Sequence, residues 1–284
     1  MQEGKADIHD IPAEFRTPLD YAVTRQADDI SATVKAALRH DETMLAFQPV
    51  YPVSGGETPV LYEGLSRILD PAGREIVARE YISLLSRTTT EREIDVASLR
   101  IGLKALRLVP KLHLSINMSA RSIGYGRWAN MLMHELKATP GLGRRLVLEL
   151  GETSVTELPE LVSDLMRAAR PFGVRFALDD FGAGPMALRR LRDFTFDIFK
   201  IDGQFVRGLA TREENRRLVR SLISIAEEFG GTTIAQSVEN HQDAKLLRKM
   251  GVPYAQGYYY CAPTLFPEWL PASINQAGQR RRAI

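Results

Sequence analysis

Cysteine is almost missing from this chain. The single Cys261 among 284 residues rules out an intrachain disulfide and a thiolate metal cluster. It also suits a reducing compartment, so a cytoplasmic location is expected. An excess of one charge is missing too. There are 37 Lys and Arg against 35 Asp and Glu, a net charge of +2, whereas binding of nucleic-acid polymers or membrane surfaces calls for a strong basic excess. No apolar run approaches the roughly 18 residues of a membrane span. The opening MQEGKADIHD has neither the basic start nor the apolar block of a secretory leader. No short-period repeat or low-complexity segment is present. No G-x-G-x-x-G follows a first strand, so nothing points to dinucleotide binding. The closing QRRRAI reads as a solvated tail.

What is present is an ordinary globular composition, 44% hydrophobic and 25% charged, in a chain long enough for a single α/β barrel. Residues 1–27 are polar, carry Pro12 and Pro18, and read as an N-terminal extension, mostly loop. Residues 28–284 read as one domain. Ile30, Val34, Ala37 and Leu38 recur at helical spacing over 28–40. Strands are expected at 44–53 and 59–68, and the short link SGGET between them makes the pair antiparallel. A long helix over 81–108 comes next. Further strands are expected at 112–118, 146–150, 174–178, 198–201, 232–238 and 254–260. Helices near 127–138, 157–170, 185–193, 213–229, 241–249 and 267–277 alternate with them. Eight strands in alternation with helices are the pattern of a (β/α)8 TIM-like barrel, here with an antiparallel first strand. A doubly wound open sheet is the alternative.

The most informative stretch is FALDDFGAG at 176–184. In a straight strand Asp179 and Asp180 would face opposite ways. At a strand end both can reach one centre, and Asp179 could then bridge two cations. Asp180 as a helix cap is the competing reading. Barrel chemistry sits at the C-terminal strand ends. Those positions hold Glu63, Leu65 and Arg67; Asn117 and Ser119; Glu149 and Glu152; Asp179 and Asp180; Lys200 and Asp202; Gln236 and Glu239; and Gln256. Oxygen ligands from Glu63, Asn117, Glu149, Asp179 and Asp180, with no His or Cys among them, suit a hard cation such as Mg2+ or Mn2+. With the Lys200 ammonium beside them, the set describes metal-assisted phosphodiester hydrolysis.

The motifs AFQPVY, YEGLSR, SINMSARS, LELGET, DDFGAG, FKIDGQFV, AQSVEN and QGYYYCAP, in this order, resemble those of the EAL-domain family, the cyclic di-GMP phosphodiesterases of bacterial signalling. The resemblance runs from about residue 31 to 270. It implies a barrel with an antiparallel first strand and cyclic di-GMP as ligand. It also implies a first metal on Glu63, Asn117, Glu149 and Asp179, and a second on Asp179 and Asp180. Lys200 would stand beside the nucleophilic water with Asp202 nearby. Glu63, Leu65, Arg67 and Gln256 would line or contact the nucleotide site, and Glu152 would brace the loop after the fifth strand. A homodimer is implied by the resemblance alone. A regulatory protein partner is the other expectation, since the chain carries no recognisable sensory domain.

Two departures stand out. Where the family has Ala-Glu-Gly-Val-Glu, this chain has Ala235-Gln236-Ser237-Val238-Glu239. Gln236 can neither take a proton at neutral pH nor match a carboxylate as a ligand for a hard cation. The loop DDFGTGYSSL becomes DDFGAGPMAL, losing the hydroxyls that would bond Glu152 and gaining Pro185. Three functions follow. The first is an EAL domain that binds cyclic di-GMP with impaired or absent hydrolysis. The second is an active phosphodiesterase making pGpG, with Glu239, Asp202 or Lys200 covering for the base. The third is a protein-interaction module that no longer binds nucleotide.

Overall fold

The computed structural model describes residues 18–70 and 72–275, with side chains from 24 onward. The first helix, α1 (Pro18–Arg39), begins earlier than expected, so residues 18–27 are helical rather than loop. Residues 1–17 lie outside the described part. Val34 and Ala37 of α1 are buried in a small cluster with Ile68, Tyr81, Leu85 and Ile94, on the face that the helical spacing marked. No helix among the described residues is long and apolar enough to cross a membrane.

Two long strands open the sheet. β1 (Thr43–Pro52) and β2 (Leu61–Leu69) pair antiparallel from Thr43↔Ile68 to Val50↔Leu61. A short strand absent from the sequence reading, β3 (Glu75–Val77), returns along β2. The expected helix over 81–108 is in fact two, α2 (Ala78–Leu85) and α3 (Thr89–Leu108). They are separated where Arg87 takes a left-handed backbone, φ +66°. The Thr88 hydroxyl then caps α3 by accepting from the Glu91 N–H, satisfying a donor that the helix start leaves open.

The remaining chain alternates. β4 (Leu114–Asn117), α4 (Gly126–Ala138), β5 (Leu146–Gly151), α5 (Glu152–Glu157), α6 (Pro159–Ala169), β6 (Arg175–Phe181), β7 (Ile198–Ile201), α7 (Gly203–Val206), α8 (Glu213–Glu228), β8 (Thr232–Ala235), α9 (His241–Lys249) and β9 (Tyr254–Ala255) follow in order. Between β6 and β7 only Leu188–Asp193 is helical, as 3-10 turns. The expected strands at 232–238 and 254–260 stop at Ala235 and Ala255, because Ser237 and Gly257 turn the backbone to positive φ. Turns replace the expected helix over 267–275, and residues 276–277 lie outside the described part.

Strands β2 and β4 to β9 pair parallel in sequence, and β1 pairs antiparallel with both β2 and β9, closing the barrel. Side chains two apart on a strand share a face. Leu61, Val147, Ala177, Ile198 and Ile234 form one buried apolar cluster with Val50. Two residues further along stand Glu63, Glu149, Asp179 and Lys200 on the same strands, with Gln236 just past the end of β8. An apolar plug thus floors a charged layer at the C-terminal mouth of the barrel, where barrel chemistry occurs.

Candidate functional site

Lys200 on β7 is fully buried and is the hub of the mouth. Its Nζ lies 2.5 Å from Glu149 Oε2, 3.0 Å from Glu63 Oε2 and 3.3 Å from Asp179 Oδ1. Three amides add donors. Asn117 Nδ2 donates to Glu63 Oε1 at 2.8 Å, Gln256 Nε2 to Glu63 Oε2 at 2.5 Å, and Gln236 Nε2 to Asp179 Oδ1 at 2.8 Å. Burying a carboxylate is unfavourable unless it is paired and hydrogen-bonded, and each of the three acids has such partners.

Charge sharing is uneven. Burial opposes ionisation of Glu63, but the Lys200 ammonium and the Gln256 and Asn117 amides outweigh it, holding the carboxyl at about 2. Glu149 is pushed well above the usual range by burial, then by the charges of Glu63 and Asp179. Burial works against the Lys200 ammonium, yet Asp179, Glu149 and Glu63 hold its pKa well above that of an ordinary lysine. Asp180 is raised to about 7 by burial and by the charges of Asp179 and Asp202.

The paired aspartates do not end their strand, as the sequence suggested; β6 runs on to Phe181. The alternation is broken within it instead. Asp180 is left-handed, φ +55°, at an irregularity in the pairing of β6 with β7 between Leu178 and Phe181. This is the geometry of a bulge, which re-aims a side chain. Asp180 does not cap the following helix. Asp202 does serve as a cap, accepting from the Gln204 N–H at the start of α7. Glu239 is exposed and stands 4.0 Å from Arg207, apart from the carboxylate cluster. Arg67 is buried and donates to the Ser66 carbonyl, and Leu65 is half-buried beside it.

Glu152 opens α5 and is buried. Its Oε1 accepts from the Gly182 N–H at 2.7 Å and its Oε2 from the Met186 N–H at 3.2 Å. The loop 182–186 is therefore held through its backbone, and the hydroxyls missing from its sequence are not needed for these bonds.

Two clefts of about 300 Å3 border the cluster. One is lined by Asp95, Asn117, Ser119, Arg121, Glu149 and Asp179. The other is lined by Gln48, Glu63, Arg79, Arg207, Gln236 and Tyr258. Asp95, Arg121, Arg79, Arg207 and Tyr258 were not singled out in the sequence. Asp95 sits one helical turn after Glu91 and is buried; its Oδ2 accepts from the Ser119 N–H and the Ser122 hydroxyl. Burial outweighs these bonds and lifts its carboxyl to about 7.

Oxygens of Glu63, Glu149 and Asp179 lie within 4.8 Å of one another. An asparagine that donates through Nδ2, as Asn117 does, still offers Oδ1. This all-oxygen set fits a hard divalent cation rather than a thiophilic one.

A closed barrel with an antiparallel first strand and an acidic mouth defines the class of protein. The EAL domain model matches residues 31–263, and the chain belongs to that family. It is 29% identical over 260 residues to the cyclic di-GMP phosphodiesterase PdeB of Shewanella oneidensis, covering 90% of this chain and 30% of that protein. To the cyclic di-GMP phosphodiesterase PdeA of Borreliella burgdorferi it is 26% identical over 257 residues, 89% of this chain and 38% of that protein. The chain thus spans about a third of the length of these relatives. Among solved structures, the FimX EAL domain of Pseudomonas aeruginosa bound to c-di-GMP superposes with a TM-score of 0.75 at 27% identity, covering 84% of this chain and 97% of that one.

Proposed function

We propose that this chain binds cyclic di-GMP across the barrel mouth and hydrolyses it slowly or not at all. The observation that carries the reading is the Gln236 amide on Asp179 Oδ1. Asp179 is the ligand shared between the two cation positions that the family resemblance implies. An amide donor on its oxygen competes with a cation there, and a glutamine in place of glutamate supplies no proton acceptor. Loss of a general base alone is worth about 10²–10⁴-fold in rate.

Binding is supported by the two clefts that border the cluster and by the cations Arg79, Arg207 and Arg121 in their walls. Glu63, Asn117, Glu149 and Asp179 would hold a first cation of the Mg2+ or Mn2+ kind, with Asp179 and Asp180 toward a second. Such a cation, when bound, supplies Lewis-acid polarisation of a phosphoryl oxygen and a more acidic water. Lys200 and the amides of Asn117 and Gln256 keep Glu63 ionised, and the Lys200 ammonium orients Glu149 and Asp179 around the same point.

A second reading, an active phosphodiesterase forming pGpG, is favoured by the complete first-cation ligand set. Melting temperature with saturating cyclic di-GMP tests the binding claim. Ligand at 100 times its Kd stabilises the fold by about 2.7 kcal/mol, and an unchanged melting temperature would sink the binding reading.

A further inference from the structure

Ser237 follows Gln236 in the segment leaving β8 and holds φ +54°, a conformation that L side chains disfavour. Gly203 opens α7, where glycine has no local advantage: its φ is not positive, and Asp202 before it already supplies the cap. The two positions explain each other. A Cβ placed on Gly203 would lie 2.4 Å from Ser237 Oγ and 2.6 Å from Ser237 Cβ. The serine side chain therefore fills the space that any larger residue at 203 would need.

The other flank is closed in the same way. Gly257 holds φ +153°, and a Cβ there would come within 2.2 Å of the Val238 carbonyl oxygen and 2.3 Å of the Val238 nitrogen. Backbone bonds tie the segment to both neighbours. The Gln236 N–H donates to the Ile201 carbonyl, and the Val238 N–H to the Gln256 carbonyl. The segment carrying Gln236 is thus pinned between two glycine backbones, with the serine side chain as the wedge on one side.

We propose that Ser237 and Gly203 are an interlocked positioning pair that fixes the turn after β8 and thereby sets the Gln236 amide on Asp179. The pair couples the strand end that bears Lys200 and Asp202 to the one that bears Gln236 and Glu239. Its weight for nucleotide chemistry rests on the function proposed above. The test uses ligand-free protein, so a chain that bound no nucleotide would leave its outcome readable.

The experiment compares the parent with Gly203→Ala, Ser237→Gly and the double variant. Overpacking is expected to lower the melting temperature of Gly203→Ala by about 5–10 °C. In the Ser237→Gly background the same change should have less than about half that effect, because the wedge is gone. With glutamine labelled by 15N, the Gln236 side-chain amide signal is identified by its loss in Gln236→Glu. It should shift or broaden in Ser237→Gly, and stay in place in Leu132→Ala, a buried change on α4. If Gly203→Ala fails to fold, recovery of folding by Ser237→Gly supports the pair, and failure of both overturns it. Additive melting-temperature changes, or an unmoved Gln236 amide in Ser237→Gly, would also overturn it.

Discussion

Gln236→Glu should weaken the metal-free fold in a pH-dependent way, and a divalent cation should reverse the effect. In the parent, the Gln236 amide donates to Asp179 Oδ1 at 2.8 Å. A carboxylate at 236 loses that bond to a charged acceptor, worth about 1.5–3 kcal/mol. It also sets two negative charges roughly 4 Å apart, a repulsion of about 4 kcal/mol at an effective dielectric of 20. Protonation caps the loss. Keeping a glutamic acid of ordinary pKa about 4.3 neutral at pH 7 costs about 3.7 kcal/mol, and the neutral acid can donate again. The expected penalty at pH 7 is therefore about 2–4 kcal/mol, or about 5–15 °C in melting temperature.

The sign with pH follows from proton binding. A carboxyl whose folded pKa is raised keeps a proton in the fold that the unfolded chain releases. The penalty is therefore small near pH 4 and grows as pH rises toward the folded value. In EDTA, melting curves of variant and parent should coincide near pH 4.5 and separate by pH 7.5. Added Mn2+ should close or invert the gap, since a cation replaces repulsion with attraction. A pH-independent loss, or none in EDTA at pH 7.5, would refute the assignment of Gln236 as a donor to Asp179.

Asp95→Asn addresses a buried acid outside the cation ligands. Asp95 is raised to about 7, so the folded state binds a proton the unfolded chain lacks between about pH 4 and 7, and this stability falls as pH rises through that window, by up to about 4 kcal/mol. Asparagine removes the titration, so urea unfolding of the variant should show a flatter profile between pH 4.5 and 7.5; parallel profiles contradict the burial argument. Lys200→Met leaves Glu63, Glu149 and Asp179 without their shared ammonium. Because the pKa of Lys200 lies well above the ordinary lysine range, its contribution is fully present at neutral pH, and the variant should lose about 3–5 kcal/mol at pH 8. The loss should be smaller at pH 5, where the acids can protonate; an equal loss at both values argues against the shared-ammonium network.

The layering of the barrel was legible because it follows period two. Ile198 and Lys200, or Val147 and Glu149, announce an apolar floor and a charged layer in four or five letters each. The break between α2 and α3 was missed although its signal is present. Thr88 three residues before Glu91 is the spacing of a capping box, and it was submerged in continuous helical periodicity. Strand β3 offers only three residues, too few for alternation to register. In the site, the convergence of Glu63, Asn117, Glu149 and Asp179 at one mouth could be read from their positions along the strands. The partners of Glu152 could not, because both are backbone N–H groups. The fit of Ser237 onto Gly203 joins residues 34 apart and is visible only in three dimensions.

The central claim is binding without efficient turnover. Its most direct test is calorimetric titration of cyclic di-GMP in Ca2+, followed by product analysis of the same protein in Mg2+ and Mn2+. Ca2+ fills oxygen sites while supporting little of this chemistry, so it separates binding from hydrolysis. The account predicts micromolar or tighter binding with little pGpG formed. Rapid conversion to pGpG would contradict it and show that a group other than residue 236 supplies the base.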